Sequence, residues 1–276
     1  MEQVLKTMLE NVRAKSPLVH NITNYVTVND VANVLLAAGG SPIMSDDADD
    51  VEDITSICGG LNINIGTLNK NTIPSMFLAG KKANALGHIV LLDPVGAGAS
   101  RLRTDTANRL MREVRFDAVR GNISEIKTLC TGSGSTKGVD ADAVDAVTEA
   151  NLDDGVQLVK AFAKQTGCII AVTGAIDLVS DGARCWCIRN GRAEMSRITG
   201  TGCQLSALMT AFLVANPDRK LDAAAAAVCM MGLAGEIGWA NMQPGDGNST
   251  YRNRIIDAIF NMTGDALEEG AKYELR

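Results

Sequence analysis

Short apolar runs alternate with helical segments along most of the chain, and this alternation constrains the fold more than any other feature. Three of the predicted strands are residues 42–44, 61–67 and 88–94, and segments with apolar residues at helical spacing separate them. Strands joined by helices of about 10 to 15 residues form βαβ units, in which consecutive strands lie parallel. The sequence therefore predicts an α/β fold with a mainly parallel central sheet and helices on both faces.

The remaining elements follow the same pattern. Helices are predicted at residues 4–12, 25–38, 72–86, 104–114 and 156–165, and three more helices close the chain. Strands are predicted at 118–121 and 168–173, and a pair of strands within 176–189 turns at Asp181-Gly182. The polar residues 20–24 are interpreted as a loop, and residues 133–137 as a Gly/Ser-rich surface loop. Neither a repeat nor a linker interrupts this order, so one domain is predicted for residues 1–276.

Net charge and composition limit the kinds of molecule that this protein is expected to bind. A formal net charge of -6 argues against nucleic acid and anionic membranes, because both bind basic surfaces. The hydrophobic share of 46% is typical of a folded globular protein, and no apolar run reaches the ~20 residues of a membrane helix. The most apolar predicted helix, residues 221–240, contains Glu236 and is interpreted as a closely packed internal helix. Small molecules are therefore the expected partners.

Cysteine usage indicates the redox compartment. The seven cysteines are an odd number, and the first residues lack the unbroken apolar region of a secretory leader, so a reducing cytoplasm is predicted. Cys185 and Cys187 are one residue too close for the usual metal or redox spacing. A strand would place both thiols on one face, and we interpret them as buried structural cysteines.

A glycine-containing turn at residues 198–205 opens an apolar helical segment. Gly200 and Gly202 remove side chains that would keep an anion from the backbone, so successive N–H groups can converge on one oxygen-rich ligand. The positive end of the helix adds to this attraction. Cys203 lies in the first helical turn, where the same field favours the thiolate. A tight connection would use similar residues, but the pattern is also typical of an anion site.

Polar residues follow three of the predicted strands. Asp93, Arg120 and Thr173 lie at strand ends, and Glu125 lies in the first turn of the helix after Arg120. Ligands of parallel sheets bind beyond the carboxyl ends of the strands, so these residues are expected near the glycine turn. Carboxylates able to hold Mg2+, an arginine, a hydroxyl and an anion-binding turn form a set suited to phosphoryl transfer.

Structural interpretations of the same residues stay open. Asn122 and Glu125 have the spacing of a helix capping box, which needs no metal. Asp93 precedes a proline and suits a turn. Met44 on an apolar strand suits a hydrophobic core, because methionine fills irregular gaps.

Six motifs, taken in chain order, resemble those of the hydroxyethylthiazole kinases, and the resemblance extends from about residue 17 into the last helices. The motifs are Pro-Ile-Met at 42–44, Leu-Asn-Ile-Asn-Ile-Gly-Thr-Leu-Asn at 61–69, Asp-Pro-Val-Gly-Ala-Gly-Ala at 93–99, Arg-Gly-Asn-Ile-Ser-Glu-Ile at 120–126, Val-Thr-Gly at 172–174 and Thr-Gly-Thr-Gly-Cys at 199–203. Several of them are long, which makes a chance match improbable.

This resemblance implies a ribokinase-like three-layer sandwich and an activity. The activity is ATP-dependent phosphorylation of the primary hydroxyl of 4-methyl-5-(2-hydroxyethyl)thiazole, a salvage step towards thiamine, with Mg2+ as the metal. The resemblance also implies a cytoplasmic homotrimer with active sites between subunits. Two alternatives stay open: a kinase for another vitamin-precursor alcohol such as hydroxymethylpyrimidine, and a non-catalytic nucleotide-binding protein.

The resemblance implies roles for individual residues. The position of Cys203 lies at the acceptor hydroxyl, where sugar kinases of the same superfamily carry an aspartate, so its thiol would act as a weak base or a positioning group. Thiazole contacts are implied for Asn24, Met44 and Gly200, ATP contacts for Arg120, Thr173, Thr201 and Gly202, and magnesium for Asp93 and Glu125. One departure is Ala175, because an acidic residue is expected after Thr-Gly.

A cysteine hydrolase or transferase is a rival class, since it would use Cys203 as a nucleophile. Such an enzyme needs a histidine beside the thiol, and the resemblance places neither His20 nor His88 there. A loose phosphoryl-transfer transition state needs no strong base, because the proton of the attacking alcohol can leave late.

Overall fold

The computed structural model describes residues 3–132 and 146–276. The surface loop predicted at 133–137 lies outside these residues. Within them the chain forms a nine-stranded sheet with helices packed on both faces. The predicted α/β fold with a mainly parallel sheet is confirmed.

The sheet has a parallel part and an antiparallel part. Its strands are β1 Leu18–Ile22, β2 Ser41–Met44, β3 Gly60–Asn64, β4 Ile89–Asp93, β5 Ala118–Asn122, β6 Ile169–Thr173, β7 Asp177–Ser180, β8 Cys185–Ile188 and β9 Tyr273–Leu275. The order β2-β1-β3-β4-β5-β6 is parallel, and β7, β8 and β9 extend it antiparallel. The carboxyl ends of the six parallel strands therefore meet on one side of the molecule.

Two helical layers cover the sheet. The helices are α1 Val4–Lys15, α2 Val28–Ala38, α3 Val51–Ile57, α4 Thr72–Leu86, α5 Arg101–Glu113, α6 Ile123–Thr131, α7 Leu152–Thr166, α8 Thr201–Ala215, α9 Lys220–Ala240, α10 Asn248–Asn261 and α11 Gly264–Gly270. Side chains alternate between the faces of a strand. Ile89 and Leu91 of β4 accordingly pack into the core with α1 and α8 to α11, whereas Val90 and Leu92 pack into the core with α3 to α7.

The prediction of a loop at residues 20–24 is wrong, because most of these residues belong to β1, which lies between β2 and β3 in the sheet. The side chains of His20 and Asn21 are buried and both have partners, whereas the Thr23 hydroxyl is buried without a partner among the described residues. His20 pairs through Nδ1 with Thr55 Oγ1 and through Nε2 with the Ser45 carbonyl, both at 2.9 Å. Asn21 accepts a bond from an asparagine on β3 at 3.1 Å. These tertiary hydrogen bonds allow polar residues in an internal strand.

Element boundaries differ from prediction mainly at helix N-termini. The second helix begins at Val28 rather than 25, the fifth at Arg101 rather than 104, and the seventh at Leu152 rather than 156. After the glycine turn four helices follow rather than three, and the last is a short one that leads into β9. This strand pairs with β8 across nearly 90 residues of sequence, as Ile188 opposite Tyr273 shows. Such a pairing leaves no local signal.

The helix α9 has the length and apolar composition of a membrane span, counted with the short turn before it as Pro217–Ala240. Of its most apolar window, however, 78% is buried inside the fold. Its alanines and glycines allow neighbouring elements to approach closely, as where Gly232 lies against the backbone of Asn190. The helix is therefore the internal helix that the sequence predicts.

Candidate active site

The polar strand ends lie side by side, as parallel pairing requires. Asn64 at the end of β3 is in register with Asp93 at the end of β4. Asn122 at the end of β5 is in register with Thr173 at the end of β6. In-register side chains of neighbouring strands point to the same face. This carboxyl edge meets the first two turns of α8, where the Ser206 hydroxyl donates to Asp93 at 2.7 Å.

The Asp93 carboxylate is fully buried and its two oxygens differ. Oδ2 accepts from Nδ2 of Asn64 at 2.9 Å and from Oγ of Ser206 at 2.7 Å, and it lies 3.6 Å from the Arg120 guanidinium. Oδ1 is buried and has no hydrogen-bond partner among the described residues. Burial raises the pKa of Asp93, while Arg120 and the two hydrogen bonds lower it. A buried acceptor of this kind favours a hydroxyl or a cation as its partner.

The Arg120 side chain spans the site between Asp93 and the glycine turn. Its Nη2 donates to Thr173 Oγ1 at 2.5 Å, and its Nε is buried without a partner among the described residues. A Cβ atom added to Gly202 would overlap the guanidinium, so this group lies directly over the backbone of the turn. Glycine at position 202 is thus required for the close approach.

The turn at the start of α8 is open. Gly200 has φ +87°, a conformation that favours glycine, and a Cβ there would overlap the side chain of Thr27. Among the described residues, no side chain caps this helix, and no acidic residue lies in its first turn. Thr201 and Gly202 begin the helix with their N–H groups at its positive end. This helix start has the features of an anion site.

Glu125 and Asn122 form a complete capping box at the start of α6. Asn122 Oδ1 accepts from the Glu125 N–H, and Glu125 Oε2 accepts from the Asn122 N–H, both at 2.8 Å. Oε1 of Glu125 accepts from the Gly96 N–H, also at 2.8 Å. Burial and the charge of Asp93 raise the pKa of Glu125 to about 7. The structural interpretation of this residue is confirmed, and its carboxylate still interacts electrostatically with Asp93.

The Cys203 thiol is 8% exposed and receives an N–H from Asn24, with an Nδ2 to Sγ distance of 3.1 Å. Burial and the charge of Asp93 raise the pKa of this thiol, and Arg120, Asn64 and Asn24 only partly offset them. The expectation that the helix start favours the thiolate is therefore wrong for this protein without ligands. Burial is the largest cause, because it disfavours the charged thiolate.

Three polar residues at this site have no role in the sequence analysis: Thr27, Asn64 and Ser206. Asn64 bonds to both Asp93 and Asn24, with distances of 2.9 and 3.1 Å. Thr27 donates to Asn24 through its N–H and its hydroxyl. A signal for Asn64 existed, because asparagine alternates with isoleucine along β3 and so places amides on a buried face.

Met44 lies at the end of the outer strand β2 and is partly buried. It packs against a small apolar cluster that includes Cys203, Ala207 and Leu35. Its side chain therefore packs against the cluster to which Cys203 belongs, and this packing agrees with a structural role. Thr173, in contrast, joins the site directly through Arg120.

The loop after Thr173 is held by an acid at the start of β7, two residues beyond Ala175. Oδ1 of Asp177 accepts from the Gly174 N–H at 2.8 Å. Burial raises the pKa of Asp177 to about 7, and this hydrogen bond and Arg120 oppose that rise. A carboxylate thus holds the loop from two residues further along the chain than expected.

The described residues contain no cluster of three or more His, Cys, Asp or Glu side chains that could hold a metal. A structural zinc site is built entirely of such side chains, so the described residues contain no site of this kind. A magnesium ion bound with nucleotide needs only one or two carboxylates besides phosphate and water. Asp93 and Glu125 form such a pair.

The chain matches the model of the hydroxyethylthiazole kinase family over residues 9–265. The chain belongs to this family. It is 58% identical to the hydroxyethylthiazole kinase of Clostridium acetobutylicum, an alignment that covers 98% of this chain and 99% of the relative. It is 48% identical to that of Ruminiclostridium cellulolyticum over 96% of this chain and 95% of the relative. This kinase membership makes the chain an enzyme of the transferase class.

Solved structures agree with this assignment. A hydroxyethylthiazole kinase protein from Pyrococcus horikoshii OT3 superposes with a TM-score of 0.88 at 32% identity, and the match covers all of both chains. The pyridoxal kinase of Staphylococcus aureus in complex with AMP-PCP and pyridoxal superposes with a TM-score of 0.60 at 14% identity, over 94% of this chain and 98% of that one. The second likeness shows the ribokinase-like fold alone.

Proposed function

We propose that this hydroxyethylthiazole kinase family member transfers the γ-phosphoryl group of ATP to the primary hydroxyl of 4-methyl-5-(2-hydroxyethyl)thiazole. The observation that carries the proposal is the uncapped start of α8, where Arg120 lies over Gly202 and Cys203 follows. Open N–H groups, a guanidinium and a nearby carboxylate are what a transferring phosphoryl group requires. The names of the close relatives supply the acceptor.

Magnesium fits the carboxylates of the site. Asp93 has a buried oxygen without a partner, and Glu125 has a pKa raised to about 7, partly by Asp93. A divalent cation would offset this repulsion, and Mg2+ prefers oxygen ligands and keeps several waters. Asp93 and Glu125 would hold the ion, with Glu125 also accepting two backbone N–H groups. The bound ion would neutralise phosphate charge.

The chain's own residues position and stabilise the reacting groups. The N–H groups of residues 200 to 203 hold the phosphoryl oxygens, and Arg120 balances their charge. Thr173 holds Arg120 in place by accepting from Nη2. Cys203 orients the acceptor hydroxyl and takes up its proton as the new P–O bond forms and the bond between the γ-phosphorus and the departing ADP breaks. Because the pKa of Cys203 is raised, little of it is present as thiolate, but that thiolate is a stronger base. A small thiolate fraction suffices because the proton of the alcohol leaves late. Met44 and Gly200 complete the thiazole side.

We further propose that residues 1–276 form one kinase domain that acts in the cytoplasm as a homotrimer, with sites between subunits. The strongly exposed side chains of Tyr25 and Val26 adjoin Asn24, and a neighbouring copy would cover them. A cavity beside Thr23 and Asn64 has a volume of only about 40 Å³, which holds little more than one water molecule. A second subunit would supply the missing walls. Light scattering of the purified chain should give three times its mass.

The test is an ATP-consumption screen with the thiazole alcohol, hydroxymethylpyrimidine and sugars, in which the mass of each product is recorded. The thiazole alcohol should give a product heavier by one phosphoryl group, and at the highest kcat/KM. Faster turnover of hydroxymethylpyrimidine would contradict the proposed acceptor. Binding of ATP without any phosphorylated product would indicate a non-catalytic nucleotide-binding protein.

The variant Cys203→Asp tests the role of sulfur. A carboxylate at this position should keep at least part of the activity, because sugar kinases of the same superfamily carry aspartate there. Complete loss of turnover with normal substrate binding would instead support covalent chemistry at sulfur. Iodoacetamide sensitivity without ATP turnover would point to the cysteine hydrolase class.

A further inference from the structure

The side-chain amide of Asn64 joins the two groups that the proposed reaction depends on most. It is 1% exposed and lies at the end of β3. Its Nδ2 donates to Asp93 Oδ2 at 2.9 Å, and its Oδ1 accepts from Asn24 Nδ2 at 3.1 Å. The same Asn24 Nδ2 contacts Cys203 Sγ. One amide therefore connects the carboxylate to the residue that contacts the thiol.

The orientation of both amides follows from their other partners. Oδ1 of Asn64 also accepts from the Gly66 N–H at 2.9 Å, so the nitrogen must face Asp93. Oδ1 of Asn24 accepts from the N–H and the hydroxyl of Thr27, at 3.2 and 3.0 Å, so its nitrogen must face Asn64 and the thiol. A flipped Asn64 would place an NH2 group against the Gly66 N–H and an oxygen against the Asp93 carboxylate. A flipped Asn24 would place an NH2 group against the Thr27 N–H and an oxygen against Oδ1 of Asn64.

This arrangement determines what each reacting group can still do. With Oδ2 of Asp93 occupied by Asn64 and Ser206, only Oδ1 is left for a ligand. Since an N–H points at Cys203 Sγ, the thiol hydrogen must lie in another direction, and a lone pair is held towards Asn24. Both groups are thus set before substrate binds, which is how preorganised sites lower a barrier.

We propose that Asn64 is a positioning residue for phosphoryl transfer, which sets the orientation of Asp93 directly and that of the Cys203 thiol through Asn24. The inference rests on the proposed function. Asparagine suits this place because it offers a donor and an acceptor on one short planar group. Alanine would leave the Gly66 N–H and the Asn24 amide without their acceptor.

The strand provides a matched control in Asn62. It lies two residues earlier on the same face and is fully buried, but its amide donates to Asn21 at 3.1 Å rather than to Asp93. Replacing either asparagine by alanine removes a buried amide of equal size. A general loss of packing in β3 would affect both variants, whereas a positioning role affects only Asn64.

The experiment compares Asn64→Ala and Asn62→Ala with the unaltered full chain by steady-state kinetics. Asn64→Ala should lower kcat about 30-fold, with KM for ATP and for the thiazole alcohol changed by less than about threefold, because Asn64 positions groups that act in the transition state. Asn62→Ala should keep kcat within about twofold. Asn64→Ser, which restores one small polar group, serves if the alanine variant does not fold.

A second measurement needs no turnover. The rate of iodoacetamide alkylation at Cys203 is followed by peptide mass spectrometry at one pH. It should fall about tenfold in Asn24→Ala, because a lost N–H to the thiolate costs about one pKa unit. It should fall in the same direction but less in Asn64→Ala, which removes only the acceptor that orients the Asn24 amide, and stay unchanged in Asn62→Ala. Equal kcat or equal alkylation in the Asn62 and Asn64 variants would overturn the inference. If the unaltered chain does not phosphorylate the thiazole alcohol, the proposed function fails, and alkylation still decides the role of Asn64.

Discussion

Two helices, α6 and α8, begin at the carboxyl edge of the sheet, and their first turns differ. At α6, Asn122 and Glu125 cap each other's backbone, and the second Glu125 oxygen accepts from Gly96. At α8, Gly200 takes the left-handed conformation, and among the described residues no side chain caps the turn. The first helix start is satisfied by its own residues, whereas the second keeps its donors for a ligand.

The difference shows how the chain separates stability from function. A capping box stabilises a helix start by about 1 kcal/mol and leaves little capacity for an anion. An uncapped start forgoes that stability but presents N–H groups and a positive dipole to phosphate. Variants at α8 should therefore change kinetics with little effect on folding, and loss of the Asn122 cap at α6 should do the reverse. Four predictions test this contrast.

The largest effect is expected for Gly202→Ala. The added methyl would overlap the Arg120 guanidinium and displace it from the turn, so kcat/KM should fall about 1000-fold, or ~4 kcal/mol. Folding should not suffer locally, because alanine favours a helix more than glycine does. The control is Gly247→Ala, where nothing lies within 4 Å of the new methyl. Kinetics with both substrates measure the effect, and equal activity of the two variants would contradict an anion site at α8.

The next effect concerns Cys203→Ala, which removes the thiol from the same turn. At saturating ATP and thiazole alcohol, kcat should fall about 100-fold, as expected for loss of a general base. Cys58→Ala is a suitable control, since Cys58 is also buried and free but lies at the end of α3. A Cys203 variant within about twofold of the unaltered chain would remove the thiol from the mechanism, because twofold is only ~0.4 kcal/mol.

The third prediction concerns the loop after Thr173, where the Asp177 carboxylate accepts a backbone N–H without a helix cap. Asp177 has a pKa raised from 3.8 to about 7, mainly by burial. The folded state therefore binds the proton more tightly than the unfolded state, and stability is lost as pH rises from about 4 to about 7. Asp177→Asn should abolish this loss, which is on the order of 2 kcal/mol once solvent screening of the partly exposed side chain is counted.

Denaturant unfolding from pH 4 to pH 8 measures this effect. The control is Asp181→Asn, because the net shift of the Asp181 pKa is downward: burial raises it, and the N–H groups of Arg184 and Ala183 together with the Arg184 side chain lower it more. The contribution of Asp181 is lost only as pH falls below about 4, so between pH 4 and pH 8 this variant should keep the pH dependence of the unaltered chain. Parallel curves for Asp177→Asn and the unaltered chain would contradict a raised pKa at Asp177.

The smallest effect is expected at α6. Asn122→Ala removes one half of the capping box and should lower the free energy of unfolding by about 1 kcal/mol. The matched change is Ser100→Ala, which removes the simple cap of α5, where the Ser100 hydroxyl accepts from the Arg103 N–H at 3.3 Å, and it should cost less. Urea unfolding of both variants gives the values. A larger loss for Ser100→Ala would contradict the expectation that the Asn122 cap contributes more than a simple cap.

The sequence predicted elements well where patterns are local and poorly where partners are distant. The apolar strand β4 and the helix α9 were predictable, because periodicity and composition reveal them. β1 was missed because His20 and Asn21 resemble loop residues until Thr55 and an asparagine on β3 pair with them. β9 was missed because its partner β8 lies far away in the chain.

The sequence predicted which residues belong to the candidate site, but it did not predict the contacts between them. The strand-end residues Asp93, Arg120 and Thr173 come together as the parallel topology requires. The bond between Asn24 and Cys203 joins positions 179 residues apart, and no motif spacing predicts it. Asn64 was part of a recognised motif, but its function as a bridge depends on two partners at once.

By itself the sequence determined the class of fold and the family, because strand and helix periods are local and six motifs stand in one order. It also placed the polar groups at strand ends, since a parallel sheet gathers those ends on one side. Only the tertiary structure decided which buried acceptor atoms of the described residues have no hydrogen-bond partner and can receive a ligand, such as Asp93 Oδ1. It also decided why the pKa of the Cys203 thiol is raised. Both depend on burial and on the direction of hydrogen bonds, which arise only when distant segments pack together.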